Sequence, residues 1–233
     1  RQIRDVITTE MWEQLNDLYW NVQDGEALWQ EPDQEQLRSI RRGCQLFYGI
    51  TDVTLSRDQA WLFSQLGRLI ERADKTSRIL DVKYFLLLPT PTEGGGVLAD
   101  LQWISLLRTA GAYQMYRQSV QQAITPASVA RFLLLDPIFP RSVRFCLQQI
   151  NETLQRIQGK PHAGPPDDLE CLGGQLLAQW SYVRIDALIE RGLHEAIDQL
   201  QSDLNRMHGL IHRCYFTTTD LGSIPTDPSC ALS

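Results

Sequence analysis

Strand signals are almost missing from this sequence. No run of alternating β-branched residues is closed by an Asn-Gly or Asp-Gly turn, which excludes a sheet as the organising element. Long apolar runs are missing too. The longest candidate, Tyr84 to Pro89, falls far short of the roughly 18–20 residues that cross a bilayer. The opening residues, Arg1-Gln2-Ile3-Arg4-Asp5, lack the apolar stretch of a secretory leader. The first residue is not Met, which points to a piece of a longer protein. Cysteine pairing is absent: Cys44, Cys146, Cys171, Cys214 and Cys230 are scattered, odd in number and without a Cys-x-x-Cys. That excludes a disulfide frame and a cysteine zinc site, and fits reduced thiols in a cytoplasmic protein. Positive charge is in deficit, with 22 Lys and Arg against 28 Asp and Glu and a net charge of −6 spread along the chain. A general nucleic-acid or anionic-membrane binder needs a basic patch, so both roles are excluded. Gly94-Gly95-Gly96 lacks the Lys-Ser/Thr of a phosphate loop, and no cofactor is implied.

Helical periodicity is what the sequence has. Its 233 residues, 43 % of them hydrophobic, form one large domain or two small ones, able to bury about 70–75 % of the unfolded-chain surface. A first helix is expected over about Thr8 to Gln23, with Trp12, Leu15, Leu18, Tyr19 and Val22 as its stripe. A second starts near Asp33, carries Leu37, Ile40, Cys44 and Phe47 on one face, and ends near Gly49. The longest, capped by Ser56, runs from about Arg57 to Leu88 with Leu62, Leu66, Leu69, Ala73 and Leu80 inward. Pro89 to Gly96 is a loop and the best place for a domain boundary. Further helices are expected over about Ala99 to Gln122 (Trp103, Leu106, Leu107, Ala110, Tyr113 and Met115 apolar) and over Pro126 to Leu135, which Thr125 caps. The last three run over Arg141 to Gln158, about Asp167 to Glu190, and Leu193 to Tyr215, with a hinge near Gly192. The expected fold is all-α: a single-domain bundle or array of about seven or eight helices over residues 1–216, followed by a disordered tail, 217–233.

One stripe on the longest helix is polar. Gly67, Glu71, Asp74, Arg78 and Asp81 fall on one helical face, with Arg68, Arg72 and Lys75 beside it. Glu71/Lys75 and Asp74/Arg78 are i,i+4 pairs. Such a stripe is a solvated face, a buried ion-pair network that fixes helix register, or a site for a cation or a substrate amine. The expectation is a connected polar network of Glu71, Arg72, Asp74, Arg78 and Asp81 against neighbouring helices. Gly67 in mid-helix costs roughly 1 kcal/mol relative to Ala, as a close approach of backbone or ligand would explain. A second candidate lies at the start of the helix near Arg141. Arg141, Ser142 and Arg144 join free first-turn N–H groups there and compose a candidate anion site, which Asp136 competes to fill internally. His208 and His212 are an i,i+4 pair, but no third ligand accompanies them and His194 is roughly 20 Å away along a straight helix, so no metal site is expected.

The pattern Trp61, Phe63, Gly67-Arg68, Glu71-Arg72-Ala73-Asp74, Arg78 and Leu80-Asp81 resembles the alpha-E family, bacterial helical domains named for a Glu-Arg motif. Gly49-Ile50-Thr51-Asp52 fits it, as do Arg131-Phe132-Leu133-Leu134-Leu135-Asp136 and Phe139-Pro140-Arg141-Ser142-Val143. The resemblance spans about Trp12 to Leu210. It implies an all-helical fold without a defined chemistry. It also implies partners, since such domains are typically encoded beside or fused to ATP-grasp and transglutaminase-like proteins. An accessory role in an ATP-grasp peptide or amide ligase system is the expected function. The alternative is an enzyme that acts on amide or peptide substrates through the Glu/Asp/Arg stripe. Members usually open with another Glu-Arg helix, and this chain has only Glu71-Arg72, so an opening segment is expected to be missing and a two-copy site half built. Leu188-Ile189-Glu190-Arg191 repeats four letters of the motif without its continuation and reads as coincidence. Nothing in the sequence sets the oligomeric state.

Overall fold

The computed structural model describes residues 4–23, 34–87, 97–121, 123–159 and 168–216. The expected loop at Pro89 to Gly96 and the expected disordered tail lie outside the described residues. Among the described residues there are ten α-helices and no strand. No described helix is long and apolar enough to cross a membrane. The chain divides into two compact units, 1–65 and 66–233.

The first unit is built on α1 (Thr9–Gln23) and α2 (Gln34–Thr54), with the first turns of α3 (Gln59–Leu87). α1 and α2 form an antiparallel hairpin. The Thr8 hydroxyl, which caps α1 by accepting the Met11 N–H, shares a 3.0 Å hydrogen bond with the Thr54 hydroxyl at the far end of α2. At the opposite end the Gln36 amide donates to the Asn21 carbonyl. Between them Gly43 lets the helices close up, since a Cβ there would stand 2.6 Å from a Leu18 methyl. The expected stripes are only partly covered. Trp12, Leu15, Leu18, Ile40 and Phe47 are half-buried, while Tyr19, Val22, Leu37 and Cys44 are exposed. Met11, Gln14 and Thr51 are the buried residues of the hairpin. α3 is capped by Asp58, whose carboxylate accepts the Trp61 N–H, in place of the expected Ser56. Arg57 instead lays its guanidinium over the Trp61 ring at 4.3 Å and pairs with Asp52.

The second unit holds the rest of α3 and seven helices: α4 (Val97–Thr109), α5 (Tyr113–Ser119), α6 (Pro126–Leu135), α7 (Val143–Gln158), α8 (Asp168–Tyr182), α9 (Ile185–Arg191) and α10 (Leu193–Tyr215). Leu66, Leu69, Ala73 and Leu80 of α3 are buried as their spacing predicts, and so are Val143, Cys146, Leu147, Ile150 and Leu154 of α7. Trp103 and Trp180 are the largest fully buried side chains. α7 packs on α6 and α8, α8 on α10, and α9 on α6 and α10. The helix count exceeds the expected seven or eight because two expected helices are each broken. Gly111 takes a left-handed φ of 65° and separates α4 from α5. The break resets the helical phase, so Tyr116 is buried and Met115, expected inward, is exposed. The other break is at Val183-Arg184, where Arg184 becomes the extended N-cap of α9. Gly192, with φ 102°, makes the expected hinge before α10.

Candidate functional site

The α3 stripe resolves into separate attachments. Glu71 is exposed and pairs with exposed Lys75 at 3.3 Å, a solvated face worth a few tenths of a kcal/mol, roughly. Arg72 leaves the stripe to donate a 3.1 Å hydrogen bond to the Pro140 carbonyl before α7. Asp74 is largely covered. Its Oδ2 accepts the Arg78 Nε–H at 2.8 Å, and this bond holds the Arg78 guanidinium above its ordinary pKa. Its Oδ1 is buried and has no hydrogen-bond partner among the described residues. Asp81 accepts from or pairs with His194 Nδ1 at 2.8 Å, across to α10. The carboxylate raises the His194 pKa from its ordinary 6.5, through the hydrogen bond first and its charge second. One helical turn back from Asp81, the buried Ser77 hydroxyl takes a long 3.5 Å contact from the Gln201 amide. The order of these two contacts makes α3 and α10 antiparallel along this edge. Arg72 and Asp81 thus bind α3 to other segments at different points, while Asp74 and Arg78 pair with each other along α3. Gly67 does not mark a close approach, because a Cβ there would meet nothing within 4 Å.

The helix-start group is also dispersed. Ser142 is fully buried and is the N-cap of α7, accepting the Phe145 N–H at 3.1 Å and donating to the Asp136 carbonyl. Asp136 does not fill the α7 terminus. Its Oδ1 accepts the N–H groups of Ile138 and Phe139 at 2.9 and 2.7 Å, closing the turn before the helix. The guanidinium of Arg141 lies over Gly111, 3.7 Å from where a Cβ would stand. Arg144 alone of the three lines a cleft of the second unit.

That cleft encloses about 710 Å³, a size typical of small-ligand sites. One wall is the α6 face made by Thr125, Ser128, Arg131 and Leu135, residues at helical spacing. Across from it stand Arg144 of α7 and Asp186 of α9, with Asp136 at the turn between α6 and α7. The framework is tied down. Thr125 and Ser128 form a capping box, and Ser128 shares a 2.6 Å hydrogen bond with the buried Tyr116 hydroxyl. Behind the wall Phe132 stacks on Phe139 at 4.9 Å and meets Tyr116 edge-on. The stripe residues Glu71, Arg72, Asp74, Arg78 and Asp81 do not line this cleft. Arg131 and Ser128 carry a signal in the sequence, the three-residue recurrence of polar side chains after the Thr125-Pro126 cap, but their partner surfaces lie on other helices. Among the described residues no three His, Cys, Asp or Glu side chains gather as metal ligands would.

No curated protein and no solved structure matches the chain. The model of the Alpha-E family, described as a predicted alpha-helical domain with a conserved ER motif, matches residues 1–216, and the chain belongs to that family.

Proposed function

We propose that the chain is a cytoplasmic accessory subunit of an ATP-grasp peptide or amide ligase system, contributing a docking surface and not the bond-forming chemistry. The observation that carries this reading is the apolar exterior of the α1–α2 hairpin. Trp20 and Val53 are 61 % and 82 % exposed, and Tyr19, Leu37 and Leu46 are at least half exposed. Trp20, Tyr19 and Leu37 stand at the end of the hairpin where Gln36 meets Asn21 and Val53 stands at the other end, and exposed apolar side chains of this size suit a surface that a partner covers. Trp20 and Tyr19, packed edge-to-face at 5.3 Å, offer the aromatic anchor that dominates many interfaces. The neighbouring ATP-grasp or transglutaminase-like protein is the partner that the family resemblance implies. The alternative reading, an enzyme acting on amides through the Glu/Asp/Arg stripe, has less support. The stripe residues are engaged with Lys75, the Pro140 carbonyl, one another and His194, and stand outside the cleft.

Co-expression with an ATP-grasp protein of the kind that the family resemblance implies tests the reading. The two are expected to co-elute in size-exclusion chromatography. Trp20→Ser combined with Val53→Ser is expected to abolish co-elution while leaving the helical circular dichroism intact. Separate elution of the two wild-type proteins, or a complex indifferent to the double substitution, overturns it. Amide hydrolysis or ligation by the isolated chain, lost on Asp74→Asn, favours the enzyme alternative.

A further inference from the structure

We infer that the cleft between α6, α7 and α9 is a binding site for a small organic oxyanion, with Arg131 and Arg144 as its head-group donors. The chain is acidic overall, with a net charge of −6, yet the cleft draws one guanidinium from each of two adjacent helices. Some arginines elsewhere are matched by acids: Arg38 and Arg42 with Glu35, Arg57 with Asp52, Arg78 with Asp74. Among the described residues neither Arg131 nor Arg144 has a carboxylate within ion-pair distance. The two cleft carboxylates are already engaged. Asp186 pairs with Arg184 at 3.6 Å, and Asp136 holds two backbone N–H groups through one oxygen. By formal charge the lining is balanced, the Arg131 and Arg144 guanidiniums against the Asp136 and Asp186 carboxylates, so what the two arginines offer is N–H donors with no carboxylate at ion-pair distance.

Guanidinium groups present paired N–H donors that match the two oxygens of a carboxylate or phosphate. Two of them from different helices suit a head group carrying several oxygens. The rest of the cleft sets the remainder of the ligand. Phe132, Leu135 and Ile185 give it an apolar side, and the hydroxyls of Ser119, Thr125 and Ser128 line it while bonded within the protein. A cleft of about 710 Å³ has room for an organic body behind the head group. Phosphate esters and carboxylates share the required head-group chemistry. The site is distinct from the Arg141/Ser142 arrangement read in the sequence, because Ser142 is buried and committed and Arg141 does not line the cleft. It is also independent of the docking role proposed for the first unit.

The experiment is a titration of the full chain with inorganic phosphate and, separately, with glutarate, at ionic strength matched by sodium chloride. Thermal shift and isothermal calorimetry are the readouts. A saturable rise in Tm above the chloride control is expected for at least one probe. Arg131→Gln and Arg144→Gln are each expected to weaken binding roughly tenfold or more, as loss of a charge-assisted contact does. Both side chains are accessible, so the variants are expected to keep the wild-type circular dichroism and Tm without ligand. Arg141→Gln is expected to bind like the wild type. Response to phosphate alone assigns a phosphate ester, response to glutarate alone assigns a carboxylate, and response to both supports the shared head group. No saturable response to either probe, or binding that survives Arg131→Gln together with Arg144→Gln, overturns the site.

Discussion

Replacing Ser142 by Ala removes two hydrogen bonds from one buried atom. The side chain is fully buried, caps α7 through the Phe145 N–H and donates to the Asp136 carbonyl. Loss of an N-cap costs about 1 kcal/mol, within a range of roughly 0.5–2. Loss of the second bond adds about 1 kcal/mol, the usual net worth of an intramolecular hydrogen bond. The expected destabilisation is therefore about 2 kcal/mol. Thr125→Ala is the internal comparison. Thr125 caps α6 through the Ser128 N–H at 3.1 Å, but it is exposed, so water substitutes for the lost oxygen and the cost stays near 1 kcal/mol. Urea titration followed by far-UV circular dichroism measures both, read as a change in midpoint at constant slope. Amide hydrogen exchange at Phe145 localises the effect to the α7 terminus. A Ser142→Ala loss below about 0.5 kcal/mol, or one no larger than that of Thr125→Ala, would refute the reasoning.

Asp81→Asn is expected to move the His194 titration midpoint, followed by imidazole NMR, down toward the ordinary 6.5. The raised pKa means that the contact stabilises the fold in full below about pH 6.5 and loses that contribution as the pH rises through the folded-state value; a midpoint unmoved by the substitution contradicts the pairing. Burial pushes the Cys146 thiol up to about 12, so native-state alkylation is expected to modify exposed Cys44, Cys171 and Cys214 and spare Cys146. Rapid labelling of Cys146, located by peptide mass spectrometry, contradicts its burial. Gly111→Ala is expected to cost roughly 1–2 kcal/mol in thermal or urea unfolding, the penalty of a left-handed alanine, because its Cβ would meet Arg141 only at an ordinary 3.7 Å. A neutral substitution means that the α4–α5 turn does not need this conformation.

Where the chain punctuates itself chemically, the sequence was a sufficient guide. Thr125-Pro126 starts α6 and Asp136-Pro137 stops it, and the observed bounds Pro126–Leu135 are those the residues predict. The α7 core residues recur at three- and four-residue spacing and are all buried. Legibility ended where local signals were ambiguous. Gly111, flanked by two alanines, is compatible with a continuous helix, and only the packed turn selects its left-handed conformation. The break at Val183-Arg184 has neither Gly nor Pro, so tertiary packing overrides helix propensity there. The candidate sites were hidden for a related reason. The stripe was visible as one face of a helix, but the partners of Arg72 and Asp81 stand 68 and 113 residues away. The cleft needed four separate helices in place before Arg131 and Arg144 could share it.

The corner between α6 and α7 has a consequence for the order of folding. Its bonds, from Asp136 to Ile138 and Phe139, from Ser142 to Phe139 and from Ser142 to Asp136, all lie within seven residues. Loops of about ten residues close in roughly 10–100 ns, and such closures give up little chain entropy. The Arg72 bond that straps α3 to the same corner spans 68 residues and belongs to a much slower class of contact. The corner is thus expected to be structured in the folding transition state, with the strap fastening afterwards. Ser142→Ala should then chiefly slow folding, and Arg72→Ala chiefly speed unfolding; stopped-flow kinetics showing the reverse partition would place α3 first.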